Sequence, residues 1–411
     1  MKILGIASGN MGTDNQIRGV ILEGAKNEKT VPVTRNELLM SLDGKPLLRE
    51  NYSDDKKFNR DVNDAVDRYL QENNAPDFVV LPVNHSSLAE DNKNVDLLSK
   101  SVKDAFAKHG HDVKTMAITS NLYDYENVDL IHVGKHLLTE AEEKKISSNP
   151  RLKSRVVETL GVPSNISQTS INALAGGPKV KDIINKYKKM REAGKKIALF
   201  SLGGKTDNGQ ISFTMEDAQN LLSSARVLKM RGYEVIFTNS PRTPNEVTDY
   251  LYENCSKYNI EFYNSKKVAT NEQEKANFRN YDGKYKEVFS ENNEKIGNIY
   301  PAILSVCDFV VNTHDSFSYT SDAAAIGIPS VVYTGNYIDK NKRNDCYKLF
   351  EECHKKGHVL DLKEAMAKVA KKEQVKTEPM SNVSSQLVSA MTKQLANTYT
   401  RSKYHGNGRS L

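Results

Sequence analysis

The sequence predicts an α/β protein built from two Rossmann-like domains, and three observations carry that expectation. Short apolar runs rich in β-branched residues alternate with amphipathic helical stretches along most of the chain. Several of those runs end in loops of glycine, hydroxyl and carboxylate residues, the layout of ligand-binding strand ends in open α/β sheets. A chain of 411 residues is longer than one hydrophobic core usually serves, so two domains and a tail fit it best.

From the amino terminus, Lys2 to Ala7 reads as a strand. Ser8 to Gln16 reads as a glycine-containing loop, and a helix is expected from Ile17 to Ala25. The third glycine of the dinucleotide fingerprint is absent, so this loop alone says little about function. Strands follow at Phe78 to Val83, Val113 to Ile118 and Leu130 to Val133, with helices at Lys57 to Glu72 and Val95 to His109. His85, Asn121 and Asp124 stand at strand ends that can project into a site. A lone histidine is more often a hydrogen-bonded or exposed side chain than a catalyst, and His85, His132 and His136 are weighed accordingly. Asn36 to Asn59 and Asn264 to Asn298 are polar and read as long loops or small insertions.

Gly, Lys and Pro surround a basic helix from Gly176 to Gly194, which suits an interdomain connection. The expected division is therefore residues 1–178, residues 195–372 and a tail of residues 373–411. In the second domain, Ile197 to Ser201 is a buried strand ending at Gly203-Gly204, where a ligand can approach the backbone closely. Thr214 and Asp217 then have capping-box spacing at a helix start. The strand Glu234 to Asn239 runs into Ser240-Pro241-Arg242-Thr243-Pro244, and arginine suits a bidentate grip on phosphate. Taken singly, Arg242 is more simply a surface arginine in a turn.

The richest stretch runs from Cys307 to Tyr333. Two strand-like runs flank Asp315-Ser316-Phe317-Ser318, and a helix should start near Ser316 to Ser318 and stop at Gly327. Hydroxyls at a helix start sit beside unpaired backbone N–H groups, where loop and helix dipole together hold a phosphate. Asp322, one turn further on, is placed to reach a ribose. The plainer reading gives Ser316 or Ser318 a capping role and lets Asp322 complement the helix dipole. Three strand ends of compatible chemistry in one half of the chain favour ligand binding.

These segments, in order, resemble a known family. Gly12-Thr13-Asp14-Asn15-Gln16, Leu160-Gly161-Val162-Pro163, Gly203-Gly204, Arg242-Thr243-Pro244 and Asp315-Ser316-x-Ser318-x-x-Ser321-Asp322-Ala323 are similar to the elongated-mitochondria (mitochondrial fission) family, over roughly residues 1–360. The resemblance implies a GT-B-like glycosyltransferase architecture, two Rossmann-like domains facing across a cleft, with a last helix crossing back to the first domain. It further implies a nucleotide-sugar donor held by the second domain at Gly203, Gly204, Arg242, Thr243, Asp315, Ser316, Ser318, Ser321 and Asp322. The acceptor would lie near Gly12, Thr13, Asn15, Gln16 and His85. Family members usually carry histidine where this chain has Thr13, and threonine is no base at neutral pH. Proton abstraction would then fall to Asp14. The function expected is a metal-independent glycosyltransferase, with no obligatory cofactor and a nucleotide sugar or other phosphorylated ligand as partner. A non-catalytic scaffold or binding protein linked to mitochondrial or membrane fission is the alternative from another class, and a nucleotide-sugar epimerase is a third.

Composition sets modest limits. Hydrophobic residues make up 38% and charged residues 27%, and the net charge of +6 is mild for this length. The basic runs at Lys186 to Lys189, Lys195-Lys196 and Lys368 to Lys372 lack interleaved aromatics, so nucleic acid is not expected as a partner. Solvated helix faces explain those runs best, with peripheral contact at an acidic membrane as the lesser alternative. Cys255, Cys307, Cys346 and Cys353 lack CxxC spacing and fit reduced thiols in a cytoplasmic setting. Secretion to, or action at, a host organelle surface is the alternative location. The Cys346, Cys353 and His354 group is a weak zinc candidate. Met1-Lys2-Ile3 leads directly into strand and loop without signal-peptide features, and no apolar run approaches the ~20 residues of a spanning helix. Ser381 to Thr398 is expected to be the crossing helix, with Tyr399 to Leu411 disordered.

Overall fold

The computed structural model describes residues 1–8, 11–25, 38–39, 46–82, 84, 88–167, 178–205, 210–240, 242–263, 299–339 and 344–406. The chain divides into two compact units, Met1–Asn165 with Ser381–Leu411, and Ile166–Met380. His85 and the Asn264 to Asn298 stretch lie outside the described residues.

The amino-terminal unit runs β1 (Ile3–Ile6), α1 (Met11–Gly24), β2 (Leu38–Leu39), α2 (Asp55–Glu72), β3 (Phe78–Val80), α3 (Ala89–Lys108), β4 (Lys114–Thr119), β5 (Leu130–Gly134), α4 (Glu140–Ser148), α5 (Pro150–Lys153) and β6 (Val156–Thr159). Its strands form one sheet in the order β2-β1-β3-β4-β5-β6, every described pair parallel. Parallel sheets are covered on both faces, which explains why their strands read as continuous apolar runs. The two-residue period of β3 shows this directly. Val79 joins the cluster containing Phe58, Val62 and Phe106, whereas Phe78 and Val80 join the one containing Ile17 and Val20.

The carboxy-terminal unit follows with α6 (Pro178–Glu192), β7 (Lys196–Ser201), α7 (Met215–Met230), β8 (Tyr233–Thr238), α8 (Asn245–Lys257), β9 (Glu261–Tyr263), α9 (Ile299–Leu304), β10 (Phe309–Thr313), α10 (Phe317–Ala325), β11 (Ser330–Tyr333), α11 (Asn344–Lys355), β12 (Val359–Asp361) and α12 (Leu362–Ala370). The strand order is β12-β11-β10-β7-β8-β9, again parallel throughout, which is the order of a Rossmann sheet. Alternation along β7 sends Ala198 and Phe200 to one core and Ile197 and Leu199 to the other. Phe200 stacks on Phe237 of β8 at 4.6 Å.

The last helix, α13 (Val383–Gly406), is part of the amino-terminal unit. Val383, Leu387 and Met391, spaced four apart, pack with Ile17, Val20 and Ile21 of α1. Ser384 donates from Oγ to the Ser164 carbonyl at 3.3 Å, and Ser385 hydrogen-bonds Glu23.

Several elements differ from the sequence expectation. Helix α1 begins at Met11, six residues before Ile17, so Gly12 to Gln16 are helical and not loop. Asp14 in its first turn complements the positive end of the helix dipole, and the Ser8 amide donates to its carboxylate. The polar Asn36 to Asn59 stretch contains the edge strand β2 and the start of α2, where Asp54 caps by accepting from Lys57 N–H. Tyr399 to Gly406 continues α13 as helix where disorder was expected. The short strand β6 went unanticipated because its residues are half exposed at a sheet edge.

Candidate functional site

In the carboxy-terminal sheet, the chain order reverses between β7 and β10, which lie side by side. Ligands of open α/β sheets bind beyond the carboxyl ends of the strands at such a reversal. Gly203 and Gly204 leave β7 here, Arg242 follows β8, and Asp315 follows β10.

Asp315 is the hub. Its side chain is 0% exposed, and Oδ2 accepts from Gly204 N–H at 3.2 Å and from the Arg242 guanidinium at 2.8 Å. Oδ1 accepts from the Tyr337 hydroxyl at 3.3 Å. Burial and then the Asp315 charge hold the Tyr337 phenol well above its ordinary pKa, so it remains a donor. The Arg242 side chain is 40% exposed. A fully buried carboxylate therefore anchors a cation whose outer part faces solvent.

The glycines are required by this packing. A Cβ at Gly203 would stand 2.1 Å from the Asp315 carboxylate, and one at Gly204 would stand 2.0 Å from the Arg242 carbonyl oxygen. The close approach expected of a ligand at this glycine pair is made by the protein's own strand ends. Gly203 N–H donates to Thr313 Oγ1 at 2.6 Å, and Lys205 N–H to the Arg242 carbonyl at 3.0 Å. Thr243 and Ser240 donate from their hydroxyls to the Gly203 carbonyl, at 2.5 and 3.1 Å.

Helix α10 starts beside this hub. Ser316 occupies the N-cap position, but its side chain makes no capping hydrogen bond. Ser316 Oγ lies 3.2 Å from Ser318 Oγ instead, in an exposed pair. The first turn thus keeps N–H groups that no cap oxygen takes from Ser316, next to two hydroxyls and Arg242. Ser321 and Asp322 lie deeper on the same helix, 4% and 8% exposed. The Asp322 charge, after burial itself, pushes the Tyr300 phenol upward. Asp322 therefore faces the core tyrosine. His314, between Thr313 and Asp315, donates from Nε2 to the Cys346 carbonyl at 2.9 Å and meets Tyr347 and Phe350 edge-on. Burial draws its pKa down, so it stays neutral at pH 7.

In the amino-terminal unit Asp14 is 8% exposed, and its Oδ1 accepts from both the N–H and the hydroxyl of Ser8, at 2.7 and 2.6 Å. Thr13 Oγ1 shares a short hydrogen bond with Ser8 Oγ. Asn15 approaches Arg18 at 3.4 Å, Gln16 lies half-buried on α1, and Gly12 is in its first turn. His132, in the middle of β5, and His136, just beyond it, are both buried, and His132 Nε2 lies 2.7 Å from Thr159 Oγ1. Burial, then the neighbouring His136, draws His132 down to about 3. Asn121 closes a turn on Thr119, and Asp124 pairs with Arg155 at 3.3 Å, so both are engaged locally. The weak zinc group diverges: Cys346 and Cys353 are buried, whereas His354 turns outward to Glu364 at 2.8 Å.

Sequence reasoning did not name Tyr337 as part of the site. Tyr337 lies 22 residues from Asp315 in a loop without motif, and only the fold brings them together.

The sequence model of the family described as Mitochondrial fission ELM1 matches residues 104–275. No curated protein matches the chain. Among solved structures, the chain is similar to the UDP-GlcNAc 2-epimerase of Methanocaldococcus jannaschii, with 11% identity, 97% of this chain and 100% of that chain covered, and a TM-score of 0.41. It is also similar to a glycosyltransferase from Rickettsia africae, with 9% identity, coverage of 97% and 98%, and a TM-score of 0.39. A glycosyl transferase family 9 protein from Veillonella parvula gives 11% identity, 96% coverage of each chain and a TM-score of 0.39. The family match is narrower than the motif resemblance: it contains Gly203, Gly204, Arg242 and Thr243 but neither the Asp14 loop nor Asp315 to Asp322. Over residues 104–275, then, the chain carries the sequence pattern of the Mitochondrial fission ELM1 family.

Proposed function

We propose that this protein binds a nucleotide sugar by its diphosphate at the carboxyl ends of β7, β8 and β10, and that it is a glycosyltransferase whose own groups stabilise the departing diphosphate. The observation that carries the reading is the buried Asp315 holding a part-exposed Arg242 beside a helix start that Ser316 does not cap. Arg242, the Ser316 and Ser318 hydroxyls and the first-turn N–H groups of α10 would meet the phosphates, where fixed donors act on charge as it develops. Gly203, Gly204, Thr243 and Asp315 hold that frame in place. Asp322 and Ser321 lie behind it, on the side a ribose would approach.

A thermal-shift series with pyrophosphate, nucleoside diphosphates and nucleotide sugars tests the reading. A ligand at 100 times its Kd adds about 2.7 kcal/mol of apparent stability. The shift should vanish in Arg242→Ala and shrink in Ser316→Ala/Ser318→Ala. Absence of any shift with every one of these compounds sinks the donor site.

One observation favours the second reading, a protein that binds without catalysing. Asp14, the general base that transfer would need, has Oδ1 committed to Ser8 from the first turn of α1. Binding unaffected by Asp14→Asn, with no sugar transferred or hydrolysed by wild type, supports that alternative.

A further inference from the structure

A cavity lies within the carboxy-terminal unit, between α7 and α12, with a volume of about 940 Å³. That is the scale of a small-molecule site. Its floor is Tyr333 and the loop that follows β11; one wall is the α7 face from Glu216 through Asn220 to Val227, and the other is the start of α12. We propose that this groove binds a neutral saccharide, at a place separate from the anion site around Arg242.

The charge of the lining excludes an anion. Glu216, Asp217 and Asp361 face a single cation, Lys363, so a phosphate would meet net repulsion. The polar groups are also held in fixed orientations. Tyr333 donates from its hydroxyl to Asp217 Oδ1 at 2.9 Å and receives Asn220 Nδ2 at 3.4 Å. Thr334 donates to Asp361 Oδ2 at 2.8 Å, and Asp361 Oδ1 accepts from Lys363 N–H at 2.8 Å. Oriented carboxylates, amides and hydroxyls set around a half-buried aromatic ring match a sugar, which offers hydroxyls along its rim and C–H groups on its face. Val227 and Met366 add apolar lining, which suits an N-acetyl or alkyl substituent.

The groove also adjoins the anion site through one side chain. Tyr333 and Tyr337 lie parallel with ring centroids 6.1 Å apart, and the Tyr337 hydroxyl reaches Asp315. Gly335 passes so close to both tyrosines that a Cβ there would stand 2.7 Å from Tyr333 and 2.8 Å from Tyr337. The inference stands on the cavity alone and does not depend on the donor reading.

The test is an NMR-detected titration of the full chain with maltotriose and with tri-N-acetylchitotriose, alongside pyrophosphate. At least one trisaccharide should bind, and Asn220→Ala and Ser223→Trp should each weaken it tenfold or more while Arg242→Ala leaves it unchanged. Asn220 and Ser223 are exposed, so both variants should fold, and a melting curve verifies this. Neither trisaccharide binding, or binding lost in Arg242→Ala but kept in Ser223→Trp, overturns the proposal.

Discussion

Both units place a carboxylate just beyond a strand at the point where sheet order reverses, yet the two carboxylates do different things. Asp14 lies in the first turn of α1, the helix after β1, and turns back to Ser8, six positions away. Asp315 follows β10 and gathers Gly204, Arg242 and Tyr337, partners 111, 73 and 22 residues distant. A short-range bond shapes one turn and consumes the oxygen that makes it. A long-range hub fixes three chain segments at once and leaves the cation it anchors turned to solvent. The difference explains why the carboxy-terminal strand ends are the better candidate for ligand chemistry, although the amino-terminal loop has the more familiar glycine-containing look.

The largest expected effect comes from removing the hub. Asp315→Ala leaves the Gly204 N–H and the Tyr337 hydroxyl without their acceptor in a buried setting, at ~1–3 kcal/mol for each unsatisfied group. The Arg242 contribution is smaller because that side chain is 40% exposed and screened by water. A total loss of about 3 kcal/mol is expected in urea denaturation. Asp14→Ala should cost about 1 kcal/mol, since its partners can turn to water. Equal losses at the two positions would break the comparison.

Gly204→Ala comes next. Its new methyl would collide with the Arg242 main chain at 2.0 Å, and backbone cannot swing aside as a flexible side chain does. Overpacking of this kind costs ~1–3 kcal/mol. The same variant should displace Arg242 and reduce pyrophosphate affinity, read by calorimetry. Loss of stability with full affinity would show that the strand-end packing and the anion site are independent.

Each unit also buries a neutral histidine, His132 within β5 and His314 just after β10, and acid should expose this. His132 titrates near 3 in the folded chain against about 6.5 when unfolded. A depressed folded pKa contributes stability that is complete above pH 6.5 and is lost as pH falls from there toward 3, because only the unfolded chain takes up the proton. The slope is up to about 1.4 kcal/mol per pH unit. His314 is shifted in the same direction by burial, so His132→Gln should lessen the acid sensitivity without abolishing it. Urea midpoints at pH 7.5 and 5 for wild type and variant measure this. An unchanged difference would mean that His132 is not buried in its neutral form.

Much of the fold was legible because parallel strands covered on both faces are apolar at every position, as in Phe78-Val79-Val80 and Ile197 to Phe200. The capping box of Thr214 and Asp217 and the stop at Gly327, with φ of +72°, were legible because their determinants lie within a few residues. Strand β2 has two residues and β6 is half exposed at an edge, so neither leaves an apolar run to read. The start of α1 was misplaced because Gly12 and Thr13 have low helix propensity, which the Asp14 contact to Ser8 overrides. At the site, residue types suggested Arg242, Asp315 and Ser316, but nothing local announces that Asp315 holds Arg242 or that Tyr337 completes the hub.

The smallest stability effect should be the most telling about function. A serine at an N-cap that bonds its own helix contributes ~1 kcal/mol, and Thr214, which accepts from Asp217 N–H, is the internal reference. Ser316 holds the same position on α10 without that bond and faces Ser318 instead. Thr214→Ala should therefore lower stability by about 1 kcal/mol, whereas Ser316→Ala/Ser318→Ala should lie within about 0.5 kcal/mol of wild type. The same double variant should lose much of the pyrophosphate-induced thermal shift that Thr214→Ala retains. If it instead destabilises like Thr214→Ala and still binds pyrophosphate fully, these hydroxyls are caps, and the anion site reduces to Arg242 alone.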